Sequence, residues 1–440
     1  MTGMQNIDVG ELIDARPLGS MQWRILALCS LVVFLDGYDI QVMALAVPSL
    51  VQEWSLPAAS FSLALAAALI GLGLGAAFLA PLGDRYGRRS ALVFAVAVVG
   101  LATVATGFSG SIEELFVWRF ITGLGLGASV PNAVAMTSEY MPLRRRAALT
   151  ALMYCNIALG AFVAGFLAPP LIRHFGWQAT FMAGGIAPLI LCLLLIFGAA
   201  ESLVYLLSTR PGDPRIKRIL QSLAPDLDPN QVTLTQTAET GGSGVPALFS
   251  PLLRSRTLLL WAIFSINFFV LYYLISWLPT LLSNEGWPQA RALQGAVMIQ
   301  AGGVVGGLFL AWLADRGYVA STLVIAFLVT LLALALFAFV PSTPLNWGML
   351  LLVVGGGISG TQLLLIALAA MFYPPPLRAS GVGWAVAIAR FGAILGPLVG
   401  GWIITLDLET FQVLGLLALP VMLNMACAML VPRVWPGARG

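Results

Sequence analysis

Runs of about 20 apolar residues recur along the chain, each closed by charges or a Gly/Pro break, and a run of that length lets a helix cross a hydrocarbon core of about 30 Å. Twelve can be marked, at approximately 24–51, 59–82, 90–109, 113–141, 147–172, 177–199, 257–283, 289–313, 318–340, 346–373, 380–405 and 410–432. The only long polar stretch, 201–256, follows the sixth and holds Arg210, Arg215, Lys217, Arg218, Asp226 and Asp228, with the flexible-looking run Glu239-Thr-Gly-Gly-Ser-Gly244. It reads as a linker. The pattern therefore predicts an all-α membrane protein: a tail over 1–23, a six-helix bundle over 24–200, a linker over 201–256, a second six-helix bundle over 257–432 and a tail over 433–440.

Composition sharpens the picture. Of 440 residues 59% are hydrophobic and 9% charged, against roughly 25% charged in a soluble domain, so the surface must face lipid. The net charge of +3 is too weak to argue for nucleic acid. Placement of the basic residues says more, because Lys and Arg are retained on the cytoplasmic side. With the N-terminus inside, 18 of the 22 fall on that side: Arg16, Arg24, Arg85, Arg88, Arg89, Arg144, Arg145, Arg146, Arg210, Arg215, Lys217, Arg218, Arg254, Arg256, Arg316, Arg378, Arg433 and Arg439. Arg173 and Arg291 lie outside, Arg119 and Arg390 within spans. Both termini are thus expected in the cytoplasm. Met1–Trp23 carries Asp8, Glu11 and Asp14 and lacks the basic-then-apolar pattern of a signal peptide, so it reads as a cytoplasmic tail.

Cys29, Cys155, Cys192 and Cys427 fall singly in apolar stretches without metal-ligand spacing. His174 is the only histidine, so neither a histidine metal site nor a Ser-His-Asp triad can be assembled. No metal site, no cofactor and no enzymatic activity are expected, and the absence of a phosphate-binding loop excludes ATP as the direct energy source.

The two halves resemble each other. Val47-Pro48-Ser49-Leu50 recurs as Leu278-Pro279-Thr280-Leu281 and Asp84-Arg85 as Asp315-Arg316, both at an offset of 231, and Arg146 and Gly160 recur as Arg378 and Gly392 at 232. A parallel six-helix repeat places a substrate site at the midplane between the halves and rocks one against the other. In the loop Gly83-Asp84-Arg85-Tyr86-Gly87-Arg88-Arg89, Gly83 and Gly87 permit a tight turn, and Asp84 can pair with arginines or cap the next helix. This loop resembles the signature loop of the major facilitator superfamily, and Ala314-Asp315-Arg316 resembles its degenerate second copy. The resemblance covers nearly the whole chain and implies twelve spans in two pseudo-symmetric bundles and a functional monomer.

The first span contains Phe34-Leu35-Asp36-Gly37-Tyr38-Asp39. Asp36 falls close to the bilayer middle, with Asp39 one turn further on the same face. Carboxylates there cost ~3 kcal/mol each on insertion scales. Two close carboxylates cannot easily both ionise, which suits a proton-coupling group; pairing with arginines to hold helices together is the plainer alternative. Their repeat partners are Asn267 and Val270, so the carboxylates break the pseudo-symmetry. Asp36-Gly-Tyr-Asp39 is similar to the first-helix Asp-Gly-x-Asp motif of the aromatic acid:proton symporters, a bacterial branch of the superfamily. That resemblance implies uptake of a hydroxybenzoate-like anion with protons, requiring Asp36 and Asp39. At the end of the sixth span, Ala200-Glu201-Ser202-Leu203-Val204-Tyr205 resembles the family's Pro-Glu-Ser-x-Arg-Phe but lacks the proline and arginine.

Arg390 falls near the middle of the eleventh span, followed by Phe391-Gly392 and Gly396-Pro397. A guanidinium grips a carboxylate through two parallel hydrogen bonds and stays charged, which suits an anionic substrate; a static salt bridge is the alternative. Arg119 opens Arg119-Phe-Ile-Thr-Gly123-Leu-Gly125-Leu-Gly127, which resembles the superfamily's fourth-helix motif associated with proton coupling. Its shallower position equally allows it to snorkel. Glu139, further along that helix, is expected at an inner gate with Arg144, Arg145 and Arg146 or with the Asp84 loop. The seventh span carries Trp261, Phe264, Phe268, Phe269, Tyr272, Tyr273 and Trp277, for which ring stacking and ordinary packing are both open. Tyr38, Asn267, Tyr272 and Trp384 join Arg390 as candidate substrate contacts.

The expected function is a proton-coupled importer of a small aromatic acid working by alternating access in the bacterial inner membrane, its partners being substrate anion, protons and lipid. Transport of another organic anion such as nicotinate or muconate, of a sugar, or export of a drug are the same-fold alternatives. A membrane enzyme lacks a catalytic constellation, and a sensor lacks a soluble domain.

Overall fold

The computed structural model describes residues 5–228, 232–235, 245–314, 316, 319–373, 375–406 and 408–434. Asp315, Glu239–Gly244 and the tail beyond 434 lie outside them. Among the described residues eleven helices are long and apolar enough to cross a membrane, and Pro344–Ile358 is a shorter apolar helix. The first nine spans are Ser20–Trp54, Ala58–Leu79, Arg88–Thr106, Ile112–Tyr140, Leu143–Phe175, Gln178–Gly198, Arg254–Asn284, Arg291–Ala314 and Val319–Leu336.

The tenth run, expected as one helix, is two: Pro344–Ile358 and Thr361–Phe372, interrupted at Ser359-Gly360. The Asn267 amide bridges the break, donating to the Ile358 carbonyl at 3.2 Å and to Thr361 Oγ1 at 3.0 Å. Freed backbone groups in a membrane must find such partners. The eleventh span is Pro375–Ile404; the twelfth comprises Thr410–Leu416 and Ala418–Val434.

The repeat seen in the sequence reappears in the packing. Without a hydrophobic drive between helices in lipid, small residues let backbones approach. A Cβ on Gly160 would fall 1.9 Å from the Phe34 carbonyl, and one on Gly392 1.9 Å from the Ser265 carbonyl; Phe34 and Ser265 are 231 apart, Gly160 and Gly392 232. Gly71 meets the Phe120 carbonyl, and its counterpart Gly302 meets that of Leu352. Gly160→Ala or Gly392→Ala should therefore force two helices apart. We expect loss of monodisperse, folded protein on size exclusion, whereas Gly383→Ala, with nothing within 4 Å of the added Cβ, should melt like the parent.

The chain forms two compact units, one of 1–40, 70–160 and 181–240, the other of 41–69, 161–180 and 241–440. In the first, strand Gln5–Asp8 pairs in parallel with Val232–Thr235. Arg16 forms an ion pair with Asp226 and holds that exposed carboxyl below its usual range. The Asp14 carboxylate accepts from the Leu143 N–H at 2.6 Å, at the start of the fifth span. Asp213 caps helix Pro214–Leu223, accepting from the Arg215 N–H, with Pro214 in its first turn. The helix buries Ile216, Ile219 and Leu220. The Arg215 guanidinium and N–H hold the Asp213 carboxyl at about 2. A carboxyl so depressed supports the helix fully above its ordinary value of 3.8 and loses that support as the pH falls through about 2. Asp213→Ala should speed amide exchange across 214–223 at neutral pH. In the second unit, Gly401 of the eleventh span lies against Ser62 near the start of the second.

Candidate functional site

Asp36, Tyr38 and Asp39 lie well inside the first span and are buried, at 3%, 4% and 2% exposure. Asp39 meets Arg119 of the fourth span in a two-pronged ion pair: Nη1 donates to Oδ1 at 2.7 Å and Nη2 to Oδ2 at 2.8 Å, with Nη2 also 3.2 Å from the Asp39 carbonyl. Thr103 Oγ1 donates to Asp39 Oδ1 at 3.4 Å and lies 3.5 Å from Thr122 Oγ1. The Phe181 ring lies 5.9 Å from the guanidinium carbon. Arg119 is 1% exposed, so it is a buried partner and not a snorkelling cation. The paired geometry neutralises both charges where either alone would be expensive. The aromatic ring of Tyr38 packs against Gly184 of the sixth span, where an added Cβ would fall 2.7 Å from it.

The pair has no counterpart in the second repeat. Adding 231 to Asp39 gives Val270, and adding 232 to Arg119 gives Leu351, both buried. Asp36 maps to Asn267, which is fully buried and serves the break in the tenth span. The charges are thus additions to a shared frame.

A second cluster lies in the other unit. Arg390, near the centre of the eleventh span, is partly exposed, and its Nη1 lies 3.5 Å from the Tyr272 hydroxyl. Phe268 stacks on Tyr272 with centroids 5.9 Å apart. Trp384, 40% exposed, stands two turns before Arg390. Of the candidate substrate contacts, Arg390 and Tyr272 are brought together here, while Asn267 is enclosed in helix packing.

The Gly83–Arg89 loop is fastened to its neighbours. Arg88 forms ion pairs with Asp84 and, at 3.4 Å, with Glu139, and its Nη1 lies 3.3 Å from Asn132 Oδ1. Gly83 leaves room for Asn132: a Cβ there would fall 1.8 Å from Oδ1. Gly87 has φ 101°, a backbone setting that favours glycine. Arg89 donates from its side chain to the Ile196 carbonyl, while the Arg85 guanidinium sits over the Tyr86 ring. Arg316 stacks on Trp312 at 3.7 Å.

Sequence reasoning missed Glu201. It is 3% exposed, accepts from the Arg89 N–H at 2.9 Å and the Ser202 N–H at 3.0 Å, and receives a hydroxyl contact from Ser90 at 3.5 Å. Its backbone carbonyl accepts from the Tyr140 hydroxyl. Ser202 donates to Glu139. Glu201, not Asp84, therefore takes a free N–H in the first turn of the third span, an orphan donor that needs a partner. The signal available was the motif Ala200-Glu201-Ser202 itself. Among the described residues no cluster of His, Cys, Asp or Glu could hold a metal ion.

The sequence model of the Major Facilitator Superfamily matches residues 29–370. The chain is 37% identical to the 4-hydroxybenzoate transporter PcaK of Pseudomonas aeruginosa over 98% of this chain and 97% of that protein. It is 36% identical to the gallate transporter of Pseudomonas putida over 94% and 92%. In fold it is similar to the crystal structure of a bacterial homolog of the human lysosomal transporter Spinster in an inward-facing, unoccupied conformation, with TM-score 0.74, 16% identity and coverage of 96% and 99%. With a repeated twelve-span frame, a loop locked by Arg88 and Glu201, and matches of that extent, the chain belongs to the Major Facilitator Superfamily, as a multi-pass membrane transporter and not an enzyme.

Proposed function

We propose that this protein imports a small aromatic carboxylate of the hydroxybenzoate type together with protons, by alternating access, as a monomer in the bacterial inner membrane with both termini in the cytoplasm. The observation that carries the reading is the asymmetric charge: Asp36, Asp39 and Arg119 buried in one repeat and Arg390 beside Tyr272 in the other. Arg390 binds the substrate carboxylate through its fork, and Tyr272 and Phe268 offer hydroxyl and ring contacts. The names of the relatives, a 4-hydroxybenzoate and a gallate transporter, support the substrate class. Entry of one negative charge against a negative interior needs at least one proton for electroneutrality. Asp39 is ion-paired with Arg119, and we assign the proton to Asp36, the other carboxyl of the motif buried within the first span.

Cells expressing the protein should take up labelled 4-hydroxybenzoate, lose accumulation with a protonophore, and ignore a sugar control. Asp36→Asn should keep counterflow exchange of preloaded substrate while abolishing proton-driven accumulation. Accumulation at the parental level would remove Asp36 from the coupling role.

A further inference from the structure

The second span does not run evenly to the Gly83–Arg89 loop. Over Gly75–Leu79 it winds as a π turn, the Ala80 N–H bonding the carbonyl of Gly75, five residues back, at 2.9 Å. Such wide turns inside α-helices are frequent at functional sites. Pro81 follows at once: it has no N–H to donate, and in an ordinary helix its ring would strike the carbonyl four residues back. The other repeat winds the same stretch differently. At the offset of 231, Gly75–Leu79 maps to Gly306–Leu310, inside the uninterrupted α-helix Gln289–Ala314, and Pro81 maps to Trp312. The packing above the turn is nevertheless shared. A Cβ on Gly75 would fall 2.2 Å from the Leu124 carbonyl, and one on Gly306 2.4 Å from Gly356, the counterpart of Leu124. Asp84 and Asp315 keep the offset of 231 beyond the turn, so the wide turn is no inserted residue. The same number of residues is wound in two ways.

Asn132 of the fourth span holds the π winding in place. It is fully buried, and its Nδ2 donates to the Ala80 carbonyl, just past the turn, at 3.1 Å and to that of Ala128 at 2.8 Å. Its Oδ1 accepts from Arg88 at 3.3 Å and fills the space that Gly83 leaves. The other repeat has Leu364 in place of Asn132 and Ala314 in place of Gly83. We propose that Gly75–Leu79 is a hinge in the second span, with Asn132 as its catch. Rewinding the π turn to an α turn rotates Leu82–Tyr86 by about 100° about the helix axis. That takes Ala80 and Gly83 off Asn132 and carries Asp84 away from Arg88, its ion-pair partner, so the loop is released from the fourth span. This inference rests on the alternating-access reading, in which the cytoplasmic side opens and closes.

Hydrogen exchange on the full chain in nanodiscs tests the hinge without a substrate. Amides of 76–80 should exchange faster than those of 307–311 in the other repeat, and equal rates overturn the hinge. Asn132→Leu, which installs the other repeat's residue, should speed exchange across 83–89; an unchanged loop overturns the catch. Deletion of Ala77 then tests transport. It takes the extra residue out of the wide turn, leaving an α turn that still ends at Asn132 and cannot rewind. The variant should melt like the parent, keep the protection of 83–89 and lose counterflow of labelled 4-hydroxybenzoate in proteoliposomes. Parental counterflow in that variant overturns the hinge, and if the variant fails to fold, the exchange comparison in the parent decides. Failure of the parent to exchange 4-hydroxybenzoate overturns the substrate reading, and the hinge is still decided by the exchange rates of 76–80 and 307–311.

Discussion

Replacing Arg390 with glutamine should lower kcat/KM for 4-hydroxybenzoate by about two to four orders of magnitude. The side chain sits mid-span and partly exposed, with the Tyr272 hydroxyl at 3.5 Å as its neighbour. A contact that long leaves the fork available for a ligand. Two charge-assisted hydrogen bonds contribute about 1.5–3 kcal/mol each, and every 1.4 kcal/mol is a factor of ten. Arg390→Lys keeps the charge but loses the planar fork, so an intermediate defect is expected. Tyr272→Phe should cost less than about tenfold, because it removes a single hydroxyl whose contact with the Arg390 guanidinium is long, at 3.5 Å. Transport assays against substrate concentration, with surface expression measured in parallel, separate the three. An unchanged KM in Arg390→Gln would assign the carboxylate to another residue.

The reach of the sequence differs between frame and site for physical reasons. Spans are legible because water exclusion demands about 20 apolar residues whatever the tertiary context. The offsets of 231 and 232 are legible because the same glycine is required wherever the same two backbones touch, as at Gly160 and Gly392. The break at Ser359-Gly360 is not. Glycines are common in continuous membrane helices, and the partner that satisfies this break, Asn267, is about 90 residues away. Depth counting likewise separated Arg119 from Asp39, since it assumes straight helices with level ends. The first span is 35 residues long, about 52 Å at 1.5 Å per residue. It is longer than a hydrocarbon core of about 30 Å requires, so counting residues from its start does not fix the depth of Asp39. Glu201 escaped because a motif that departs from its family at two positions says nothing about which groups the remaining glutamate meets.

The Asp39–Arg119 pair permits an experiment that the repeat itself supplies. Removing one partner leaves a buried, uncompensated charge, which costs about 3–5 kcal/mol, a large part of the about 5–15 kcal/mol by which proteins are stable. Asp39→Val and Arg119→Leu should each yield little folded protein. The second repeat carries Val270 and Leu351 at the equivalent places, buried at 1% and 0% exposure, so the frame accepts this apolar pair. Exchanging a buried ion pair for apolar residues is often neutral or stabilising by about 1–4 kcal/mol. The double variant Asp39→Val/Arg119→Leu should therefore melt at or above the parental temperature, where additivity of the singles forecasts collapse. Its transport then separates the two readings of the pair. Counterflow with no accumulation assigns Asp39 and Arg119 to proton coupling. Full accumulation reduces them to a tie that holds the first and fourth helices, and leaves coupling to Asp36.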